Sequence, residues 1–277
     1  MPELNVERRL GDLVRAHLPG AVVEFVMFGL KMAWACLFAG ALLVAIILSA
    51  LFWPDGAALS RYDALTLFAV AMQLAMLRFR LESWDEAKVI LLFHITGTAM
   101  EVFKLRMGSW TYPEAGFLML GGVPLFSGFM YASVGSFIAR AIRLFDMRFT
   151  SYPPLGWTVV LALAIYINFF AHHFIWDMRY ALMAATILLF GRVMIRFTPM
   201  RRTLKMPMVL AAALSAIFLY LAENIGTLSG TWLYSGAGKF AFTDPAKIGS
   251  WYLLLFVSFV QVSWVCRDAL EPKGRVE

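Results

Sequence analysis

The chain has 277 residues, of which 61% are hydrophobic and 15% charged, with a formal net charge of +6. An apolar share this far above the usual value for soluble domains argues against a water-soluble globular protein and for an integral membrane protein. The positive charge does not call for nucleic acid, because basic residues gather in the short loops of membrane proteins and fix their topology.

Residues 1–20 mix Arg8, Arg9 and Arg15 with Leu10, Leu13, Val14 and Leu18, a pattern that suits either an amphipathic surface helix or a solvated tail. From Ala21 the chain turns apolar for longer than a signal-peptide core. That stretch contains Lys31 and lacks a small-residue cleavage site, so it is expected to stay attached. A bilayer core about 30 Å thick needs roughly 20 apolar residues per helix. Such windows fall at 31–53, 63–79, 88–107, 117–139, 154–175, 179–197, 206–227 and 247–266. Helices are expected throughout, because lipid offers no partner for unpaired backbone groups and the alternation of a β-barrel is missing. The predicted class is an all-α integral membrane protein of about eight transmembrane helices.

With the amino terminus inside, sixteen Lys and Arg fall on the inner side. Six fall outside: Arg61, Lys104, Arg106, Arg179, Lys239 and Lys247. The bias predicts a multi-pass protein of the bacterial inner (cytoplasmic) membrane with both termini cytoplasmic. Cys36 and Cys266 would then lie near the reducing side, where no disulfide is expected.

The segment Glu101-VFKLRM-Gly108-Ser109-Trp110-Thr111-Tyr112 returns as Glu223-NIGTLS-Gly230-Thr231-Trp232-Leu233-Tyr234 with identical internal spacing. Weaker matches surround it. Trp53 and Asp55 correspond to Trp176 and Asp177, Arg61-Tyr62 to Arg179-Tyr180, Arg78-Phe79 to Arg196-Phe197, and Ser136-Phe137-x-x-Arg140 to Ser263-Trp264-x-x-Arg267. Their common order predicts a duplication: two four-helix repeats, 21–148 and 149–268, followed by a tail at 269–277. Four is even, so the repeats cross the membrane in the same sense, and the third and seventh helices are expected side by side.

Glycine commonly ends helices, and Trp and Tyr populate membrane interfaces, so Gly108-Ser109-Trp110 and its twin are explained equally by a helix stop with interfacial anchors. The carboxylates are harder to account for, since an ionisable group within a span costs about 2.5–3.5 kcal/mol on insertion scales and therefore faces a bundle interior. His94 precedes Glu101 by two helical turns, and Asn168, His172 and His173 end the fifth span, with Asn224 beside Glu223. Glu101 and Glu223 are accordingly the candidate catalytic pair. His94, Trp110, Tyr112, Asn168, His172, His173, Asn224, Trp232 and Tyr234 are the candidate substrate-binding residues.

Three chemistries fit these residue types. A carboxyl group in apolar surroundings can deliver a proton to an apolar substrate while its twin stabilises a developing cation, with aromatic faces assisting. Imidazole and carboxylate together can hold iron, zinc or manganese, although neither H-E-x-x-H nor E-x-x-H occurs; no cofactor is predicted. Parallel repeats with polar groups inside the membrane also suit a transporter.

Across nearly its whole length the chain resembles the YoaT-like family of bacterial integral membrane proteins, through FHITGTAMEVFKLRMGSWTYPEAGF, GVPLFSGFMYASVGSF and YLAENIGTLSGTWLYSG. That resemblance implies an eight-helix inner-membrane protein and supplies no activity. Over a shorter stretch, Glu101-x6-Gly108-x-x-x-Tyr112 followed by Gly122-Val123-Pro124-Leu125 is similar to bisanhydrobacterioruberin hydratases and membrane lycopene cyclases. This second resemblance implies cofactor-free acid catalysis on a polyene, carried over to Glu101 and Glu223. The second half has Lys247-Ile248-Gly249-Ser250 in place of G-V-P-L, so the two halves are not expected to act alike. The function expected is thus a membrane-embedded site for an isoprenoid-like or lipid substrate, with acid-catalysed cyclisation or hydration as its chemistry. The alternatives are a transporter, a metal-dependent membrane enzyme, or a non-catalytic subunit of a membrane complex. The expected partners are membrane lipid and an apolar small molecule, with a homo-oligomer or a complex partner left open and nucleic acid excluded.

Overall fold

The computed structural model describes residues 20–54, 56–236 and 242–272. The amphipathic segment expected before Gly20, the repeat position Asp55, the outer Lys239 and the last five residues of the tail lie outside the described residues. Among the described residues nine α-helices and eight short strands follow in chain order. The helices are α1 (Gly20–Ala35), α2 (Leu37–Phe52), α3 (Arg61–Arg78), α4 (Trp84–Arg106), α5 (Phe126–Leu144), α6 (Leu155–Ala171), α7 (Arg179–Phe190), α8 (Met208–Leu228) and α9 (Lys247–Ser263). The strands are β1 (Trp110–Thr111), β2 (Met119–Leu120), β3 (Val123–Pro124), β4 (Arg148–Tyr152), β5 (Met194–Phe197), β6 (Leu204–Pro207), β7 (Leu233–Tyr234) and β8 (Leu270–Pro272).

The chain is mostly helical, but several expected bounds are corrected. The window at 31–53 belongs to two helices that meet at 68°. At that break the Arg140 guanidinium donates to the Trp34 carbonyl at 2.8 Å, and an unbroken helix would give that carbonyl to Phe38. The window at 117–139 begins with a β2–β3 hairpin, turned by Gly121 and Gly122 at φ +59° and +85°, and its helix runs on to Leu144. The window at 179–197 is helical only to Phe190. Its twelve residues reach about 18 Å, well short of the roughly 30 Å hydrocarbon core. Met194–Phe197 alternates half-buried and buried positions and forms a strand instead. Among the described residues, α8 is the helix long and apolar enough to cross a membrane, and the bent α1–α2 pair passes the same test taken together.

The expectation of an all-α chain is corrected too. Strands β6-β5-β4-β8 form a four-stranded sheet at one end of the helices, antiparallel except for β4–β8. Leu270–Pro272, expected as tail, is one of its strands.

Local rules account for the helix ends. Ser60 caps α3 by accepting from the Asp63 N–H at 3.1 Å. Ser83 and Glu86 form a reciprocal capping box at the start of α4, at 3.2 and 2.6 Å. Extensive packing runs from α4 onto α5, from α5 onto α9 and from α9 onto α8. The third and seventh expected helices, α4 and α8, are therefore not neighbours along their lengths, as α5 and α9 occupy the centre. Large apolar side chains point outward all round, among them Phe25, Phe52, Leu74, Ile95, Leu188 and Phe218.

Candidate functional site

Glycine turns bring the duplicated segments together. Gly108 and Gly230 stand at φ +68° and +65°, the left-handed region that side-chain-bearing residues avoid. Each closes a helix with the same pair of backbone bonds: Gly108 and Ser109 donate to Leu105 and Lys104, and Gly230 and Thr231 donate to Thr227 and Gly226, all at 3.0 Å. The chain that leaves each turn is extended, and the two extensions pair as β1 and β7, Trp110 opposite Tyr234 and Thr111 opposite Leu233. Helix α3 braces the second turn. Tyr62 Oη donates to the Thr231 carbonyl at 2.7 Å, and Arg61 reaches the Ser229 and Gly230 carbonyls at 3.4 Å. The repeat counterparts Arg179 and Tyr180 do not mirror this, since Arg179 pairs with Asp177 and Tyr180 is exposed.

Behind the ladder lie the two carboxylates, 4% and 6% exposed. Glu101 accepts three hydrogen bonds from neutral donors: Trp110 Nε1 at 2.8 Å, Tyr112 Oη at 2.7 Å and Tyr131 Oη at 2.7 Å. Glu223 accepts from Tyr234 Oη and Trp251 Nε1. The Trp110 and Tyr234 rings meet edge to face at 5.7 Å, and the Lys247 ammonium sits 4.1 Å over the Tyr234 ring. Lys247 interacts electrostatically with both glutamates. Trp232, the twin of Trp110, does not reach Glu223; its indole lies flat on Gly226, where any side chain would collide with it. Trp251 of α9 supplies the second indole instead.

The remaining predicted residues are placed elsewhere. Asn224 turns from Glu223 and ties down the following loop, accepting from the Thr243 N–H at 2.9 Å and donating to the Tyr220 carbonyl at 2.7 Å. His94 lies deeper on α4, its ring 4.5 Å from that of Phe129, with Nδ1 buried and unpartnered. Asn168, His172 and His173 form a second cluster around Lys104, whose Nζ stands 3.0 and 2.8 Å from the two Nε2 atoms. An ammonium can only donate, so both Nε2 atoms accept; His172 then carries its proton on Nδ1 and donates to the Asn168 carbonyl at 3.0 Å. Asn168 and Arg179 both bind Asp177. Although burial works in the opposite direction, these contacts hold the Asp177 carboxyl below the usual carboxylate range. Histidines and glutamates thus belong to separate clusters. Among the described residues no three His, Cys, Asp or Glu side chains are grouped to hold a metal ion. Cys36 and Cys266 are free thiols.

Between α4, α5, α6, α8 and α9 runs a narrow, partly open cleft of about 30 Å³. Met100, Tyr131, Tyr166 and Trp251 line it along with the polar side chains of Thr96, Ser258 and Gln261, and Gln261 Oε1 is buried without a partner. Glu101 and Glu223 are not among its lining residues. The hydroxyl and indole that hold them, those of Tyr131 and Trp251, belong to side chains in its wall. Sequence reasoning missed Tyr131, Trp251, Lys104 and Lys247. The usable signal was helical spacing, because Lys104 follows Glu101 by three residues and Lys247 precedes Trp251 by four.

Fold and site define a mostly helical protein in which two segments of matching sequence pair as strands, each with a buried carboxylate held by its own aromatic donors. The chain belongs to the family described as protein of unknown function (DUF817), whose model matches residues 24–259. It is 40% identical over 248 residues to the uncharacterized protein YoaT of Bacillus subtilis (strain 168), a match covering 88% of this chain and 92% of that protein. Among solved structures it is similar to the mycobacterial Insig homolog MvINS from Mycobacterium vanbaalenii, with a TM-score of 0.48 and 13% identity over 65% of this chain and 93% of that one. A cross-linked MvINS trimer gives a TM-score of 0.49 and 13% identity over 70% and 98%.

Proposed function

We propose that the chain is a multi-pass protein of the bacterial inner membrane, its halves two parallel four-helix repeats, and that it holds an isoprenoid-like or other apolar lipid molecule in the cleft beneath Glu101 and Glu223. The observation that carries this reading is the cleft itself: a narrow, partly open and mostly apolar groove between five helices, along which an apolar chain can lie, bordered by two aromatic residues that are tied to the buried carboxylates. The outward apolar side chains on every flank support a lipid environment, since water-exposed apolar patches of this extent are rare on soluble monomers. The basic residues near the sheet, including Arg148, Arg196 and Lys205, favour the cytoplasm for that end.

The chemistry assigned to the site is proton transfer. Glu101 does not touch the cleft, so the step needs a protonated Glu101 that donates to the Tyr131 oxygen, the reverse of the bond described, while the Tyr131 hydroxyl proton passes to an alkene carbon of the ligand. The aromatic faces stabilise the resulting cation, which after ring closure returns a proton through Tyr131 to the Glu101 carboxylate. A second reading, in which each carboxylate is a structural tie within its own half, is favoured by the five neutral donors that the two accept from, all of them in the same half as their glutamate.

Mass spectrometry of lipids that co-purify in mild detergent tests the binding reading. An apolar species enriched over bulk lipid, and lost on filling the cleft with Val134→Trp, is expected; no enrichment in either protein sinks it. For the chemistry, Glu101→Gln and Glu223→Gln should abolish turnover of that species. Full turnover by both variants leaves only the structural reading.

A further inference from the structure

Lys104 is only 5% exposed, and lysines are seldom buried unless a counter-charge accompanies them. Its ammonium rests on two neutral imidazoles and 4.3 Å above the Phe169 ring, partners that hold it in place without neutralising it. Among the described residues no carboxylate forms an ion pair with Lys104 or Lys247. Lys104 also experiences the like charges of Lys247 and Arg179 and, less strongly, the opposite charge of Asp177. The nearby Asp177 carboxylate is already occupied by Asn168 Nδ2 at 3.1 Å and by the Arg179 N–H and Nη2 at 2.9 and 3.0 Å.

These cations stand in a fixed relation to the cleft. Met100 lines it from α4, and Lys104 is four residues further on, about 6 Å along the helix axis. Trp251 lines it from α9, and Lys247 is four residues before. On α6 Tyr166 lines it, and His172 and His173 follow. Three helices thus carry an apolar wall residue and, about a turn or two closer to the β1–β7 end, a basic one. His173 is exposed, which leaves the cluster open at its rim.

We propose that Lys104, Lys247 and Arg179, together with His172 and His173, bind the anionic phosphate-type head of an amphipathic ligand whose apolar tail lies in the cleft. This rests on the reading that the cleft holds an apolar molecule, and it adds the head group. An oxyanion at the cluster supplies the directly paired counter-charge that Lys104 lacks, with charge-assisted hydrogen bonds from the ammonium and guanidinium groups.

Binding to the purified full chain in maltoside micelles tests this with three probes: farnesyl phosphate, farnesol and inorganic phosphate. Farnesyl phosphate should bind about tenfold or more tighter than farnesol, the contribution of a charged hydrogen bond. Lys104→Gln and Lys247→Gln should each pull that ratio toward one, Lys104→Arg should preserve it, and added salt should narrow it. Equal affinity for farnesol and farnesyl phosphate, or a ratio that neither glutamine variant alters, overturns the anion site and leaves the apolar cleft standing. Inorganic phosphate binding as tightly as farnesyl phosphate overturns the link between head and tail. Failure of both farnesyl probes to bind removes the cleft reading as well.

Discussion

Glu101 accepts from three buried donors, and replacing it by leucine leaves Trp110 Nε1, Tyr112 Oη and Tyr131 Oη without an acceptor. An orphaned buried donor costs about 1–3 kcal/mol, so the loss should be roughly 3 kcal/mol at the least. For a chain of this length, at about 2–4 °C per kcal/mol, Tm should fall by at least about 6 °C. Glutamine behaves differently. Its carbonyl can face Trp110 and Tyr112 while its amide donates to the Tyr131 hydroxyl, which rotates to accept, so Glu101→Gln should stay within about 1–2 kcal/mol of the parent. Glu223→Leu orphans two donors and should fall between the two. Thermal unfolding in detergent, followed by tryptophan fluorescence, gives the three midpoints. Equal loss for Glu101→Leu and Glu101→Gln would refute the argument, since it would mean that the charge, not the hydrogen-bond count, sets the stability of the site.

Thr111 and Leu233 are direct partners in the β1–β7 ladder, where Cα atoms about 4.5–5.5 Å apart suit a disulfide. Thr111→Cys with Leu233→Cys should therefore cross-link on mild oxidation, seen as two fragments that stay joined after cleavage between the halves; either single variant staying uncross-linked is the control, and an uncross-linked double variant contradicts the ladder. Gly226→Ala drives a methyl into the Trp232 indole and should cost about 1–3 kcal/mol, whereas Gly29→Ala, with open space around it in α1, should gain about 0.5–1 kcal/mol; reversal of that order in unfolding midpoints would count against the packing described. Burial pushes the Glu82 carboxyl above its ordinary range, against the hydrogen bonds from Ser136 and Gln73. The folded state then holds a proton that the unfolded chain releases, so this group's contribution to stability falls as pH rises from the ordinary carboxylate value through the raised one. Glu82→Gln should raise Tm at pH 8 and lose that advantage near pH 4, and a pH-independent difference would contradict the assignment.

The duplicated segment was legible because its spacing encodes one device twice. A glycine with positive φ ends the helix, and the extended residues after it point an aromatic side chain back at a carboxylate nine or eleven residues earlier. Helix positions were legible to within a few residues wherever an apolar run was long, as in α8. They were not where an apolar run contains its own breaker: Gly121-Gly122 ahead of α5, the Arg140 contact at Trp34, or the two-residue period at Met194–Phe197. Hydropathy treats a buried strand and a helix end alike, so the four-stranded sheet left no separate mark.

Symmetry is where local sequence says least. The twins Trp110 and Trp232 share a spacing, yet one donates to its glutamate and the other lies on Gly226, because position 226 has no side chain where the first half has Lys104. That single difference redirects both halves. With glycine at 226, Trp232 sinks against α8, and the indole bond to Glu223 comes from Trp251 on α9. With lysine at 104, Trp110 keeps to its carboxylate, and an ammonium projects instead toward His172 and His173. One half of the duplication has become the brace of the carboxylate pair and the other its charged rim. A Gly226→Lys exchange should therefore displace Trp232 and weaken the fold, rather than restore a second rim.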